Sequence, residues 1–197
     1  MKNEINDKLL QRMEDGREYR NMMLEVREAG TEDEDSMIVE GYATTFMQPY
    51  LLYDWDDYKV YEQVDSRAFD DCDMSDVIMQ YDHQGRVFAR TKNNTLQLNA
   101  DATGLKVTAD LSGTEIGRQL YEEIKGGYTT KMSFGFVVKT DECKSVTDHD
   151  SGVTTVTRTI TNISKLYDVS AVSLPANDST TISARRYADG VIDGIKA

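Results

Sequence analysis

Histidine, cysteine and proline are scarce in this chain. Each occurs only twice among 197 residues. Cys72 and Cys143 have neither the spacing of a zinc site nor the number needed for a disulfide framework. We therefore predict two free thiols in a reducing compartment. His83 and His149 are the only histidines, so any chemistry that needs an imidazole depends on one or both of them.

Long apolar runs are also missing. No segment approaches the roughly 20 residues that a membrane-spanning helix needs, and residues 1–7 lack the apolar core of a signal peptide. The formal net charge of −13 argues against nucleic acid as the main partner, because phosphate binding requires clusters of lysine and arginine. Acidic clusters at 32–35 and 54–73 do not match a calcium-binding loop and are expected in solvated loops. The composition predicts a soluble globular protein with no membrane or nucleic-acid partner.

The spacing of apolar residues divides the chain into three parts. Ile5, Leu9 and Met13 recur every four residues, which predicts an N-terminal helical extension over 1–19 that Gly16 ends. A main domain of mostly strands follows over 20–185. A polar tail occupies 186–197.

Period-2 alternation and short apolar runs predict most of the main domain to be β-structure. The predicted strands are 22–26, 38–46, 58–64, 77–79, 96–100, 105–111, 132–138, 153–161 and 166–174. The acidic turn 31–35 would join the first two strands as a hairpin, and the segments 50–58 and 140–152 are expected to be loops. One helix is predicted, with Ser112 and Glu115 as a capping box and Gly126 near its end. The predicted class is α+β, mainly β.

Ser133 is the most informative residue. It lies in the segment Lys-Met-Ser-Phe-Gly-Phe, where large apolar residues alternate with Ser133 and Gly135. One face of this strand is therefore apolar, and the other presents a hydroxyl beside a glycine, which permits the close approach of a ligand or another backbone. His83 follows a buried apolar strand and is expected where that strand emerges into a loop, 84–86. A serine and a histidine suffice for nucleophilic acyl transfer, but the residue types alone favour a serine that only fills a tight position in the sheet.

Asp168 is a second polar residue in a mostly apolar strand. A buried carboxylate without a partner is costly. A histidine is a suitable partner, since a carboxylate fixes the imidazole tautomer and stabilises the imidazolium formed during proton transfer. A backbone hydrogen bond or an ion pair with lysine or arginine is the alternative.

Several short motifs occur in an order that resembles one known family. The motifs are Gly41-Tyr42-Ala43 with Phe46, Ala68-Phe69, Asp82-His83 with Phe88-Ala89-Arg90-Thr91, Gly104-Leu105 with Val107, Met132-Ser133-Phe134-Gly135-Phe136, and Leu166 with Asp168-Val169-Ser170 and Pro175-Ala176. Over about 41–185 the chain resembles the prohead maturation proteases of tailed bacteriophages, which are related in fold to the herpesvirus assemblins. Arg67 and Ala89 stand where this family usually has glycine, and Asp168 replaces the commoner glutamate. These departures affect local turns and the reach of the acid but remove no reacting group.

The resemblance implies a mixed, barrel-like β-sheet flanked by a few helices. It implies that Ser133 is the nucleophile and His83 the general base of a serine endopeptidase that needs no cofactor and no metal. We expect Asp168 to be the third member. His149 is the alternative, by analogy with the Ser-His-His arrangement of assemblins, but it lies in a polar turn.

The same resemblance implies the setting. The expected substrates are a scaffolding protein or scaffolding segment inside the procapsid and the protease itself, with the major capsid protein as a further partner and self-association possible. The location would be the procapsid in the host cytoplasm, and the gene could belong to a prophage. The oxyanion of the tetrahedral intermediate needs hydrogen-bond donors or charge nearby. The candidates are Gly126-Gly127, Arg86 and Arg90, and the sequence does not favour one of them.

Three other functions are compatible with parts of the sequence. The first is an inactive capsid-associated scaffold or binding protein on the same fold. The second is a ligand-binding β-barrel, with a pocket lined by the aromatic residues Tyr50, Tyr53, Trp55, Tyr58 and Tyr61. The third is a metal hydrolase that uses Asp82, His83 and His149, although their spacing matches no known ligand motif.

Overall fold

The computed structural model describes residues 16–22, 27–28, 37–55 and 57–172. These residues form two β-sheets and one α-helix. The larger sheet contains β1 (Glu18–Met22), β4 (Tyr50–Trp55), β5 (Tyr58–Val64), β6 (Ile78–Tyr81), β7 (Gln84–Arg90), β10 (Lys131–Thr147) and β11 (Thr154–Val172). The smaller sheet contains β2 (Arg27–Glu28), β3 (Ile38–Thr45), β8 (Leu96–Ala100) and β9 (Gly104–Asp110). The helix α1 spans Glu115–Lys125, and a 3₁₀ turn spans Thr91–Asn93.

The larger sheet is mixed, as predicted. Its strands follow the order β1-β10-β11-β5-β4, and β6 and β7 lie beside the C-terminal half of β11. The strand β11 is antiparallel to β10 but parallel to both β5 and β6. The predicted mainly β, α+β class is confirmed. The barrel-like sheet is not, because the described strands form two separate sheets, joined at one point by a bridge between Phe46 and Val64.

The core is continuous between the two sheets and α1. Met132, Phe134 and Phe136 of β10 are fully buried, and the two phenylalanine rings stack with centroids 4.5 Å apart. The helix contributes Leu120 and Ile124 from its buried side. The period-2 pattern of β10 therefore places its large residues inward and leaves its small residues for the opposite face.

Helix α1 confirms the predicted helix but not its cap. The cap residue is Thr114, whose Oγ1 accepts a hydrogen bond of 3.0 Å from the backbone N–H of Gly117. Ser112 instead donates to the carboxylate of Asp110. The correction follows from where the backbone turns: the helix starts at Glu115, so the threonine directly before it satisfies a free N–H of the first turn.

Two predicted loops are wrong. The aromatic segment expected to be irregular forms β4 and part of β5, an antiparallel pair, in agreement with the high β-propensity of aromatic residues. The segment 140–152 is mostly strand, because β10 continues to Thr147 and pairs along its length with β11.

The segments 153–161 and 166–174 were predicted as separate strands, yet 154–172 is one uninterrupted strand. In the first half of this strand, every second side chain from Thr154 to Ile160 is buried.

The N-terminal extension is only partly testable. Glu18 and Tyr19, which we assigned to a helix over 1–19, belong instead to β1 and pair with β10. Residues 1–15, the acidic run 32–35 and everything after 172, including the polar tail 186–197, lie outside the described residues. The antiparallel pairing of β2 with β3 agrees with the first predicted hairpin, although its turn is not described.

Both cysteines are free thiols, as predicted. Burial raises the pKa of the Cys72 thiol to about 11. Within the described residues, no helix has the length and apolar character that crossing a membrane requires.

Candidate active site

Strand β10 positions Ser133 on the face opposite its phenylalanines. Ser133 and Gly135 alternate with the buried large residues, and the side chain of Ser133 is itself fully shielded from solvent. In the antiparallel register Ser133 lies opposite Ser170, and Gly135 lies opposite Asp168. Paired residues of neighbouring strands share a face of the sheet. The strand register therefore places the side chains of Ser133, Asp168 and Ser170 on one face of the sheet.

A two-residue turn positions His83. Asp82 and His83 connect β6 to β7 and both have left-handed backbones, with φ of 49° and 58°. Two consecutive positive φ values are the signature of a type I′ hairpin turn. The backbone N–H of Asp82 donates to the carbonyl of Ala171 at 3.0 Å, which ties the turn to β11. The prediction of a loop at 84–86 is wrong. The turn consists of Asp82 and His83 alone, and β7 begins directly after it at Gln84.

Strand β11 positions Asp168. This carboxylate is buried, with 3% of the residue exposed, and it lies between Gly135 on β10 and Ile78 on β6. A Cβ at Gly135 would lie 2.5 Å from Asp168 Oδ2 and 2.6 Å from a ring carbon of Tyr19. The absence of a side chain at Gly135 therefore provides the space that Asp168 occupies.

The three candidate residues form one hydrogen-bonded chain. His83 Nε2 lies 2.6 Å from Ser133 Oγ, and His83 Nδ1 lies 2.5 Å from Asp168 Oδ1. These contacts join two separate strands and a turn. The order hydroxyl, imidazole and carboxylate is the one needed to remove a proton from the hydroxyl and to stabilise the resulting imidazolium.

Ser170 is a polar neighbour to which the sequence analysis gave no role. Its hydroxyl donates to Asp168 Oδ1 at 2.8 Å, and the residue is fully buried. Because side chains two residues apart on a strand share a face, the Asp-Val-Ser spacing was a signal that would have placed it beside Asp168. This hydrogen bond holds the carboxylate in the orientation that contacts His83.

Strand β1 covers the site from the other side, and the predicted strand over 22–26 includes only its last residue. The hydroxyl of Ser133 donates to the carbonyl oxygen of Arg20 at 2.8 Å. The ring of Tyr19 meets the ring of His83 edge to face, with centroids 4.6 Å apart. No signal in the sequence predicted these contacts, because the short segment around Tyr19 was assigned to a helix.

The alternative third residue, His149, lies elsewhere. It is exposed in the turn between β10 and β11. Along β10 that turn is 14 residues from Ser133, or roughly 45 Å at the usual rise per residue. His149 is therefore not placed to orient His83, and the metal-site combination with Asp82 is not assembled either.

The oxyanion candidates remain without an assigned role. Arg90 is held by Asp76 through two hydrogen bonds of 2.6 and 2.7 Å, and together with Asp168 it borders a cavity of about 260 Å³. Gly126 and Gly127 lie at the C-terminal end of α1. Arg86 lines a second cavity, of about 430 Å³, between the His83 turn and α1.

The comparison with known families identifies the chain. The model of the caudovirus prohead serine protease family matches residues 22–191. The chain belongs to this family. It is a serine protease of capsid maturation in tailed bacteriophages, and the resemblance noted from the sequence is confirmed. No curated protein and no solved structure matches it significantly. Ser133, His83 and Asp168 all lie within the matched range of this prohead protease, whereas nearly all of β1 precedes it.

Proposed function

We propose that this protease is an endopeptidase that cleaves a scaffolding protein or scaffolding segment inside the procapsid, and also its own chain. Ser133 is the nucleophile, His83 is the general base and Asp168 is the orienting acid. The observation that carries the proposal is the chain of two short hydrogen bonds from Ser133 through His83 to Asp168. Nothing in this proposal requires a metal or a cofactor.

The proposed mechanism accounts for each proton. The hydroxyl of Ser133 donates to the carbonyl of Arg20 while β1 is in place, so it first turns that hydrogen bond to His83 Nε2. When Ser133 Oγ attacks the carbonyl carbon of a peptide bond, His83 Nε2 takes the hydroxyl proton and Asp168 holds Nδ1–H. His83 then gives that proton to the departing amine, and an acyl-enzyme remains. A water molecule, deprotonated by His83, hydrolyses the acyl-enzyme and restores the hydroxyl of Ser133.

The setting compensates for weak substrate binding. An extended peptide can add to the edge of a sheet through main-chain hydrogen bonds. The strand that carries the nucleophile, β10, offers such an edge when β1, the present edge strand, is displaced. A protease enclosed with its substrate acts at high effective concentration. Scaffold and major capsid protein are the proposed partners inside the shell.

The test is cleavage of the phage scaffolding protein, followed on a gel. The wild-type chain and the variants Ser133→Ala, His83→Ala and Ser145→Ala are compared. Ser145 is the matched control, because it lies on the same strand as Ser133 but is exposed. We expect cleavage by the wild type and Ser145→Ala only. Cleavage by Ser133→Ala would overturn the assignment, and a wild-type chain that binds scaffold without cutting it would favour the inactive capsid-associated protein.

A further inference from the structure

Strand β1 lies across the nucleophile as an extended peptide would. Its five residues pair antiparallel with β10, from Glu18 opposite Phe136 to Met22 opposite Met132. It forms the edge of the larger sheet. Of all its backbone groups, the carbonyl of Arg20 is the one that meets the hydroxyl of Ser133. The segment thus presents one particular peptide carbonyl to the residue proposed to attack it.

The side chain of the same residue lies in a buried acidic pocket. Arg20 is 2% exposed, and its Nε donates to Glu62 Oε1 at 2.5 Å, while a terminal nitrogen donates to Glu62 Oε2 at 3.0 Å. Glu62 is fully buried on β5, and the hydroxyl of Tyr50 donates to the same carboxylate. Arg20 therefore contacts two groups at once. Its carbonyl oxygen contacts the candidate nucleophile Ser133, and its guanidinium contacts the buried carboxylate of Glu62.

The charges of this pocket favour a cation. Arg158 also contacts Glu62, at 2.8 Å, and Asp141, at 2.6 Å. If β1 departs it takes one carboxylate, Glu18, and one guanidinium, Arg20, so Glu62 and Asp141 still face the guanidinium of Arg158. Glu62 then loses the two hydrogen bonds that Arg20 donates to it, and a buried carboxylate without its partners is strongly unfavourable. A basic side chain supplied by another peptide would restore those hydrogen bonds.

Strand β1 and the pocket differ in their relation to the family match. The match begins at residue 22, which is the last residue of β1. The pocket residues Glu62, Asp141 and Arg158 lie inside the match. The matched range thus contains the pocket but not Arg20.

We propose that the pocket around Glu62 is a specificity subsite for an arginine side chain and that β1 is its resident occupant. Substrates are then extended peptides that pair with β10 and are cut on the C-terminal side of an arginine. The inference rests on the proposed role of Ser133. The reaction is hydrolysis of the peptide bond that follows the arginine, with the proton transfers described above.

The experiment varies the charge of the substrate and leaves the enzyme intact. Internally quenched peptides carry the sequence of residues 16–24 with glutamine in place of Arg17, so that one arginine remains. In a second set, citrulline replaces that arginine, which keeps the shape of the side chain and removes its charge. We expect the full chain to cut the arginine peptide with a kcat/KM at least about 10-fold higher, as befits a charge-assisted hydrogen bond, and to release a new N-terminus at asparagine. Equal values for the two peptides would overturn the subsite.

Two further measurements keep the outcomes distinct. Ser133→Ala is assayed beside the wild type. If Ser133→Ala cuts the peptides as well as the wild type does, the proposed nucleophile is wrong. If Ser133→Ala is inactive but the wild type shows no preference for the arginine peptide, only the subsite is overturned. If neither peptide is cut, both are tested as inhibitors of scaffold cleavage. The arginine peptide must then inhibit at a concentration about 10-fold lower than the citrulline peptide, and equal inhibition overturns the subsite.

A protein variant adds an independent check. Arg20→Gln weakens the hold of β1 without altering Glu62. We expect it to raise kcat/KM for the arginine peptide while the preference for arginine over citrulline is retained. A lower kcat/KM in a folded Arg20→Gln chain would mean that β1 supports the site rather than occupying it, and would overturn the proposal.

Discussion

Gly135 faces Asp168 across the pairing of β10 with β11, and a side chain at position 135 would have to displace a neighbouring side chain. A Cβ at position 135 would lie 2.5 Å from Asp168 Oδ2, a separation far below van der Waals contact. The carboxylate that contacts His83 is thus positioned partly by a missing side chain on the neighbouring strand.

Gly135→Ala should therefore impair catalysis. The new methyl group displaces either Asp168 or Tyr19, and misplacement of a catalytic group by about 1 Å costs on the order of 100-fold in rate. Scaffold cleavage rates and thermal unfolding of the purified variant check this. Gly113→Ala is the matched control, since nothing lies within 4 Å of its Cβ position. Wild-type rates in Gly135→Ala would show that the space beside Asp168 is not required.

Ser170→Ala should lower kcat by about 10-fold. The variant removes the hydrogen bond to Asp168, and hydrogen bonds to charged groups contribute roughly 1.5–3 kcal/mol. The expected KM is unchanged, because Ser170 acts on the carboxylate and not on substrate. Ser164→Ala on the same strand is the control, as its hydroxyl donates to the carbonyl of Val137 instead. An equal loss in both variants would indicate a general weakening of β11.

Asp168→Asn and His149→Ala decide the third member of the site. Asparagine keeps the shape of Asp168 but cannot stabilise the imidazolium, so we expect a loss on the order of 10⁴-fold in kcat. His149→Ala should cleave scaffold at the wild-type rate, because its side chain is exposed on a distant turn. An inactive His149→Ala beside an active Asp168→Asn would reverse the assignment.

Chelation should leave the activity intact. Proton transfer between serine and histidine needs no metal ion, so cleavage in EDTA should match cleavage in buffer. Serine-directed acylating reagents should inhibit slowly, because Ser133 is fully shielded by its surroundings. Activity that is lost in EDTA and restored by a divalent cation would contradict the proposed mechanism.

Local patterns predicted the strands that carry Ser133 and Asp168, because alternation along a strand and isolated polar residues in apolar runs are local signals. The pairing of His83 with Ser133 was implied by the family resemblance, and its pairing with Asp168 was one of two alternatives for a buried carboxylate. Residues joined only by tertiary contacts were not found: Tyr19 and Arg20 have no periodic partner near them in sequence. The loop errors at 84–86 and 140–152 share a cause, since β7 and the polar half of β10 are strands that pairing, rather than apolar pattern, stabilises.

The position of β11 has a consequence for synthesis in the host cell. This last described strand pairs with β5, β6 and β10, and it also carries the carboxylate next to His83. A ribosome must therefore complete residue 168 and thread the chain between strands made much earlier before the site can assemble. Long-range pairings of this kind form slowly. If Asp168 is the orienting acid, as proposed, a chain that ends before residue 168 should be inactive, and host proteins around the ribosome should not meet an active protease during translation.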